Sequence, residues 1–205
     1  MTDTRTRLVE GTLEALRTQG IAGVSARGIA KIAGVNQALV FYHFGSLHEL
    51  LATACRHSAE QRVAHYRARF RKVESLPELL ALGREIHAGE RAAGNVAVLA
   101  QLLAGSQNDS ALAAPTASGL TLWTVEIAQV LERVLGDSPF TAIMPVKDLA
   151  HVIAAAFVGL ELFEGVDPES TGSAMDSLAR LGELFVMLDG PLARTALRRK
   201  VRRLA

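Results

Sequence analysis

The tightest constraint in this chain lies between Val24 and Ser46, where two N-cap residues and a glycine set the ends of two very short helices. Ser25 is a good N-cap, because its side-chain oxygen can accept from one of the amides that a first helical turn leaves unbonded. Val24 and Ile29 flank it at the N′ and N4 positions of a hydrophobic staple. Asn36 repeats the device, with Val35 and Val40 as its staple. Between the two, Ala33-Gly34-Val35 is a tight connection in which Gly34 can take the positive φ that ends a helix. Two capped helices of about two turns, joined by a glycine turn, predict a helix-turn-helix.

The same punctuation runs through the rest of the chain, without strict alternation, a fixed-period repeat or a low-complexity tract. A first helix is expected over about Thr4 to Gln19, with a stripe of Leu8, Val9, Leu13 and Leu16 and with Gly20 at C′. Ser46-Leu47-His48-Glu49 is a capping box opening a long helix to about Phe70. Pro77 fits the first position of a helix to about Arg91, and others are expected over about 95–104 and 111–135. The last two run from about Val146 to Gly165 and from about Gly172 to Leu188, closed by Gly190. The expected fold is all-α, with about nine helices. A three-helix helix-turn-helix head over 1–46 is joined by the long helix to a helical bundle over 47–205.

Val152, Ile153, Ala156, Phe157, Leu160 and Phe163 form a stripe at helical spacing with further apolar residues beside it, and Leu181, Leu184 and Phe185 add to it from the last helix. A helix apolar on more than one side needs a second burying surface. In a chain of 205 residues a second copy is the expected source, giving a two-fold homodimer.

Net charge is only +1, but the charges are segregated: residues 1–72 sum to +6, residues 73–190 to −11 and residues 191–205 to +6. A basic head on an acidic body suggests that the head alone meets a polyanion. The longest apolar stretches, such as Val152 to Leu160, fall short of the roughly 18–20 residues that span a bilayer, so no membrane partner is expected. Cys55 is the single cysteine and Met1 leads into Thr2-Asp3-Thr4-Arg5 with no apolar leader core, which fits a cytoplasmic protein.

In a helix-turn-helix the second helix enters the major groove and its leading residues meet base edges. Here those are Asn36, Gln37, Ala38 and Leu39. Gln37 can bond an adenine edge through two hydrogen bonds, and Ala38 and Leu39 can meet a thymine methyl. Ser25, Arg27 and Lys31 before the turn, with Tyr42 and His43 after it, are candidates for phosphate contacts that set register. The competing reading is a small helical subdomain whose basic surface is merely solvated and whose Ala33, Val35, Leu39, Val40, Phe41 and Phe44 are only core.

The stretch from Val24 to Ser46, followed by Glu49-Leu50-Leu51, resembles the signature of the TetR family of transcriptional regulators. Ile29-Ala30, Ala33-Gly34-Val35, Tyr42-His43-Phe44 and Ser46-x-x-Glu49-Leu50-Leu51 occur in order and in register. Two positions depart from the pattern: Phe41 stands where the family usually has Tyr, and Leu47 where it commonly has Lys. Each removes one expected phosphate contact. The resemblance implies a dimeric repressor that binds a palindromic operator in double-stranded DNA and is released by a small-molecule effector held in the C-terminal helices. It implies no cofactor.

His87, Gln101, Trp123 and Glu126 are polar or amphipathic groups inside otherwise apolar helices, and so are the first candidates to line an effector pocket. Glu126 with Trp123 could meet a cation, or could lie at the solvent side of its helix. No metal site is expected, since His57 and His65 are eight apart and neither they nor His87 form a pair at i,i+4. Cys55 shares an apolar stripe with Leu51, which favours packing. The basic tail Arg198-Arg199-Lys200-Val201-Arg202-Arg203 could bind nucleic acid or anionic lipid, fray into solvent, or pair with the acidic body.

An enzyme is not expected. The chain lacks a phosphate-binding G-x-x-x-x-G-K-[ST] loop, an H-E-x-x-H helix and a G-x-S-x-G elbow. A non-catalytic helical adaptor that binds only protein would explain the acidic body and the apolar final helices, but not the basic head.

Overall fold

The computed structural model describes residues 3–136, 138, 141 and 144–188, apart from the side chains of 185, 186 and 188. Among the described residues every long element is an α-helix. In chain order these are α1 (Thr4–Gly23), α2 (Ala26–Ala33), α3 (Ala38–Phe44), α4 (Leu47–Phe70), α5 (Leu76–Ala92), α6 (Asn95–Ser106), α7 (Ser110–Leu135), α8 (Val146–Glu164) and α9 (Pro168–Leu188). The expected all-α class and the nine helices are both found among these residues. The sequence-predicted closing residue Gly190, the basic tail at 198–203 and the Phe185 side chain lie outside the described residues.

The helices fall into two compact units, one built of the described residues of 3–65 and 90–122, the other of those of 66–89 and 123–188. In the first, α1, α2, α3 and the start of α4 enclose Leu8, Val9, Leu13, Ile29, Val40, Phe44 and Leu50, all buried. Gly11 allows α1 and α2 to approach closely, since a Cβ there would stand 3.2 Å from the Cβ of Ala33. A neighbouring cluster joins Leu16, Leu51 and Cys55 to Val98 and Leu102 of α6 and Leu112 of α7. In the second unit Tyr66, Phe70, Leu79, Leu82, Ile86, Val130, Leu131 and Leu135 form the core, with Ile153 of α8 packed against it.

The helix ends follow local chemistry. α1 breaks at Gly20 (φ 69°, ψ 166°), as the C′ reading required, but one further turn follows to Gly23. Ser46 Oγ accepts from the Glu49 amide at 3.1 Å and opens α4. Three caps were not anticipated. Ser75 Oγ accepts from the Glu78 amide, so α5 starts at Leu76 rather than at Pro77. Asp109 Oδ1 accepts from the Ala111 amide at the head of α7. Asp167 Oδ1 accepts from the Ser170 amide, and α9 therefore begins at Pro168, four residues before the expected Gly172. The hydroxyl of Ser170, together with its amide, holds the Asp167 carboxyl below its usual range.

Candidate nucleic-acid interface

The helix-turn-helix is built as its caps require. Ser25 has extended backbone angles and its Oγ accepts from the Gly28 amide at 3.1 Å. At the other end of α2, Gly34 is left-handed (φ 63°, ψ 40°), and the Val35 amide reaches back to the Ala30 carbonyl at 2.9 Å. Asn36 Oδ1 accepts from the Ala38 amide at 2.9 Å, while Gln37 already has helical angles (φ −56°, ψ −32°). Asn36 thus caps the second helix, although by one residue's shorter reach than a cap bonding N3.

The candidate contact residues sort by exposure. Ser25, Arg27, Lys31, Asn36, Gln37, Ala38 and Tyr42 are exposed, and Leu39 and His43 are half-buried. Leu39 packs partly against the head's core, so one side of it is already committed. Tyr42 is 81% exposed and its ring meets His43 edge-on at 5.0 Å. Arg27 and Lys31 are four apart on α2 and share a face. Behind this surface Ile29, Ala30, Val40 and Phe44 are buried, so both short helices are held by packing rather than by their own propensity.

The exposure of Ile32 (39%) was not anticipated, while Phe41, core in the competing reading and the occupant of a phosphate-contacting position in the resemblance, is 49% exposed. Both stand one position from a buried neighbour, Val40 and Ala33, and helical periodicity could have marked them as turned outward. On the first turn of α1, Arg7 donates from Nη2 to the carbonyls of Ala33 (2.5 Å) and Gly34 (2.9 Å). The Arg5 guanidinium lies 5.1 Å from the centre of the Phe44 ring. Nothing in the local pattern of α1 reveals these partners, which are 26 or more residues away.

The four candidate effector residues are divided between the two units. Gln101 lies in the first unit, where its Oε1 accepts from the Ile21 amide at 2.7 Å, just past the break in α1. The other three lie in the second. Trp123 is half-buried and packs on Tyr66 and Phe70, with ring centres 6.0 and 6.4 Å apart. Glu126 is 5% exposed and pairs with Arg67 Nε at 2.7 Å, so it does not face solvent as one reading of its helix allowed. His87 is buried between two carboxylates of α8, with Nδ1 3.3 Å from Glu161 Oε1 and Nε2 against Glu164 Oε2. A small cavity of about 20 Å³ lies elsewhere, in the first unit, bordered by Leu13, Arg17, Cys55, Arg62, Asn95 and Leu102. Its volume suits one water molecule.

Cys55 borders that cavity with its thiol pushed up to about 11 by burial, against the opposing pull of Arg62. No group of three or more His, Cys, Asp or Glu among the described residues is arranged to hold a metal ion. Nor is any helix among them long and apolar enough to cross a membrane.

On the dimer stripe, Val152, Ala156, Phe163, Leu181 and Leu184 are exposed. Ile153, Phe157 and Leu160 are half-buried. Ile153 belongs to the second unit's core, and Phe157 meets the His87 ring edge-on at 6.0 Å. The stripe therefore divides into an outward row and an inward one.

Residues 8–54 match the sequence profile of a family described as bacterial regulatory proteins, tetR family. Among curated proteins, none matches this sequence. Solved structures of similar fold include a transcriptional regulator from Rhodococcus sp. Rha1, with 22% identity and a TM-score of 0.66 over 88% of this chain and 96% of that one. A TetR transcriptional regulator from Legionella pneumophila has 14% identity and a TM-score of 0.69 over 88% and 97%. The multidrug binding protein EbrR, complexed with malachite green, has 23% identity and a TM-score of 0.62 over 88% and 98%. At these identities the likeness is one of fold.

Proposed function

We propose, from the premise that its N-terminal module belongs to the tetR family of bacterial regulatory proteins, that this transcriptional regulator is a repressor. Two copies bind a palindromic operator, and a small-molecule effector releases them. The observation that carries this reading is the exposed row of Arg27, Lys31, Asn36, Gln37, Ala38 and Tyr42, borne on two short helices braced by a buried core. Polar groups left in solvent on a rigid mount are what a reader of base edges requires.

Within that reading the head over 1–46 is the DNA-binding part and 47–205 the effector and dimerisation part. Gln37 reads a base edge, Ala38 and the exposed side of Leu39 meet methyl groups, and Asn36 donates from its amide nitrogen. Ser25, Arg27, Lys31, Tyr42 and His43 contact phosphates and sugars. The half-exposed Phe41 ring takes the place of a missing hydroxyl with apolar contact alone.

The outward row Val152, Ala156, Phe163, Leu181 and Leu184, with Phe185, is the proposed dimer face. Half-sites repeat at about 34–36 Å per helical turn, so two heads fixed by one dimer read a palindrome only at one spacing. An effector that alters this spacing forfeits one half-site, and by linkage the operator weakens the effector equally. The fold shared with EbrR, which is complexed with imidazole, malachite green and proflavin, supports a small-molecule effector. His87, Trp123 and Glu126 are the proposed polar lining, and Gln101 the link from α6 to the first helix of the head. The protein acts in the cytoplasm and performs no catalysis.

Gel shift with a duplex selected by the protein from a random pool tests this function. Gln37→Ala should weaken that duplex by about 1–3 kcal/mol and relax preference at one base pair. Equal loss on selected and random DNA assigns Gln37 to positioning. No sequence-dependent shift by the wild-type protein would leave the adaptor reading ahead.

A further inference from the structure

We propose that Arg7 is a positioning residue for DNA reading: it fixes the turn between α2 and α3, and so the angle of the reading helix, without touching DNA. The inference rests on the DNA-reading role of α3 and adds a residue to it from outside the helix-turn-helix.

The hydrogen bonds of the turn point to this role. A helix end leaves its last carbonyls without amide partners and carries partial negative charge. At the end of α2 the turn's own amides serve Lys31 and Ala30, through Gly34 (3.2 Å) and Val35 (2.9 Å). The carbonyls of Ala33 and Gly34 are served by Arg7, whose Nη2 lies 2.5 and 2.9 Å from them. Gly34 is the left-handed residue that redirects the chain, and Asn36, the cap of the reading helix, follows two residues later. A charged donor that grips both carbonyls therefore fixes the peptide planes on either side of the bend. The grip is close, since a Cβ at Gly34 would stand 2.9 Å from the same nitrogen.

The far end of α3 is held from the same turn of α1. Arg5 lies over the ring of Phe44, the last residue of α3, at 5.1 Å from its centre. The two arginines thus brace the reading helix at entry and at exit. The nitrogen of Arg7 that makes these bonds is committed to carbonyls, which separates it in role from Arg27 and Lys31.

Arg7→Ala in the full chain tests the proposal, with Arg7→Lys as the conservative variant. Affinity is measured for the duplex selected by the wild-type protein and for random duplex, each over a range of salt, and amide hydrogen exchange is followed without DNA. Expected for Arg7→Ala is about a tenfold loss on the selected duplex, with random-duplex affinity and salt slope unchanged. Exchange should quicken over residues 35–44 but not in α5, and Arg7→Lys should restore part of both effects. Equal loss on both duplexes with a salt slope smaller by about 0.9 would make Arg7 a phosphate contact and overturn the proposal. A lower melting temperature with selected-duplex affinity and 35–44 exchange unchanged would also overturn it. A wild-type protein that selects no duplex would instead refute the DNA-reading role itself, a result recognisable before any variant is made.

Discussion

The Oε1 of Gln101 on α6 accepts a 2.7 Å hydrogen bond from the amide of Ile21, the residue that follows the break at Gly20. The break removes Ile21 from regular helix bonding, and a side chain 80 residues away supplies the missing acceptor. Gln101→Leu should cost about 1–2 kcal/mol of stability, because it leaves a partly buried amide unbonded, whereas Gln101→Glu keeps an acceptor and should cost less. Urea unfolding of the three proteins checks the order.

The ion pair of Arg67 with Glu126 is lopsided, since the arginine side chain is 45% exposed and the glutamate 6%. Removing the arginine strands a buried carboxylate; removing the carboxylate frees an arginine that can turn to water. Arg67→Ala should therefore destabilise by about 3 kcal/mol, and Glu126→Gln by about 1 kcal/mol. Equal costs in denaturant melts would show that the pair is solvated in practice.

Ala156 lies in the outward row of α8, four residues after Val152 and seven before Phe163. Ala156→Glu places a charge where the dimer face is proposed and should shift the protein towards monomer with its helicity intact. Sedimentation of a stable dimer by this variant would move the interface elsewhere.

Cys55 gives an alkaline prediction with a definite sign. Burial raises its thiol from 9.0 to about 11, so the folded state keeps a proton that the unfolded chain loses first. The stability tied to that proton is full below about pH 9 and is lost as pH rises towards 11. Wild type should lose on the order of 2 kcal/mol more than Cys55→Ala between pH 8 and 11, judged by urea unfolding. At pH 8 the native thiol should react with Ellman's reagent far more slowly than the unfolded chain.

What was legible in the sequence is what adjacent residues decide. Ser25, Gly34, Asn36 and Ser46 each act within five residues, and each stands in the structure at the helix end its chemistry implied. Asp167 was equally local: an aspartate followed by a proline is a helix start, and the glycine at 172 drew the boundary inward instead. Long-range partners could not be found this way. A periodic stripe marks Ile153 and Phe157 as apolar but cannot say that they face the same chain's α5 and core while Val152 faces outward. The partners of Glu126, His87 and Gln101 lie 59 to 80 residues off, and only the packed fold reveals that these polar groups are already bonded.

The most direct test is a titration of the full-length protein against its selected duplex and a random one, followed by fluorescence anisotropy at two salt concentrations. Expected is saturation at two chains per duplex, at least about 10³-fold preference for the selected sequence, and affinity for both that falls steeply with salt. Equal affinity for the two duplexes, or binding indifferent to salt, would contradict a reading helix opening at Asn36.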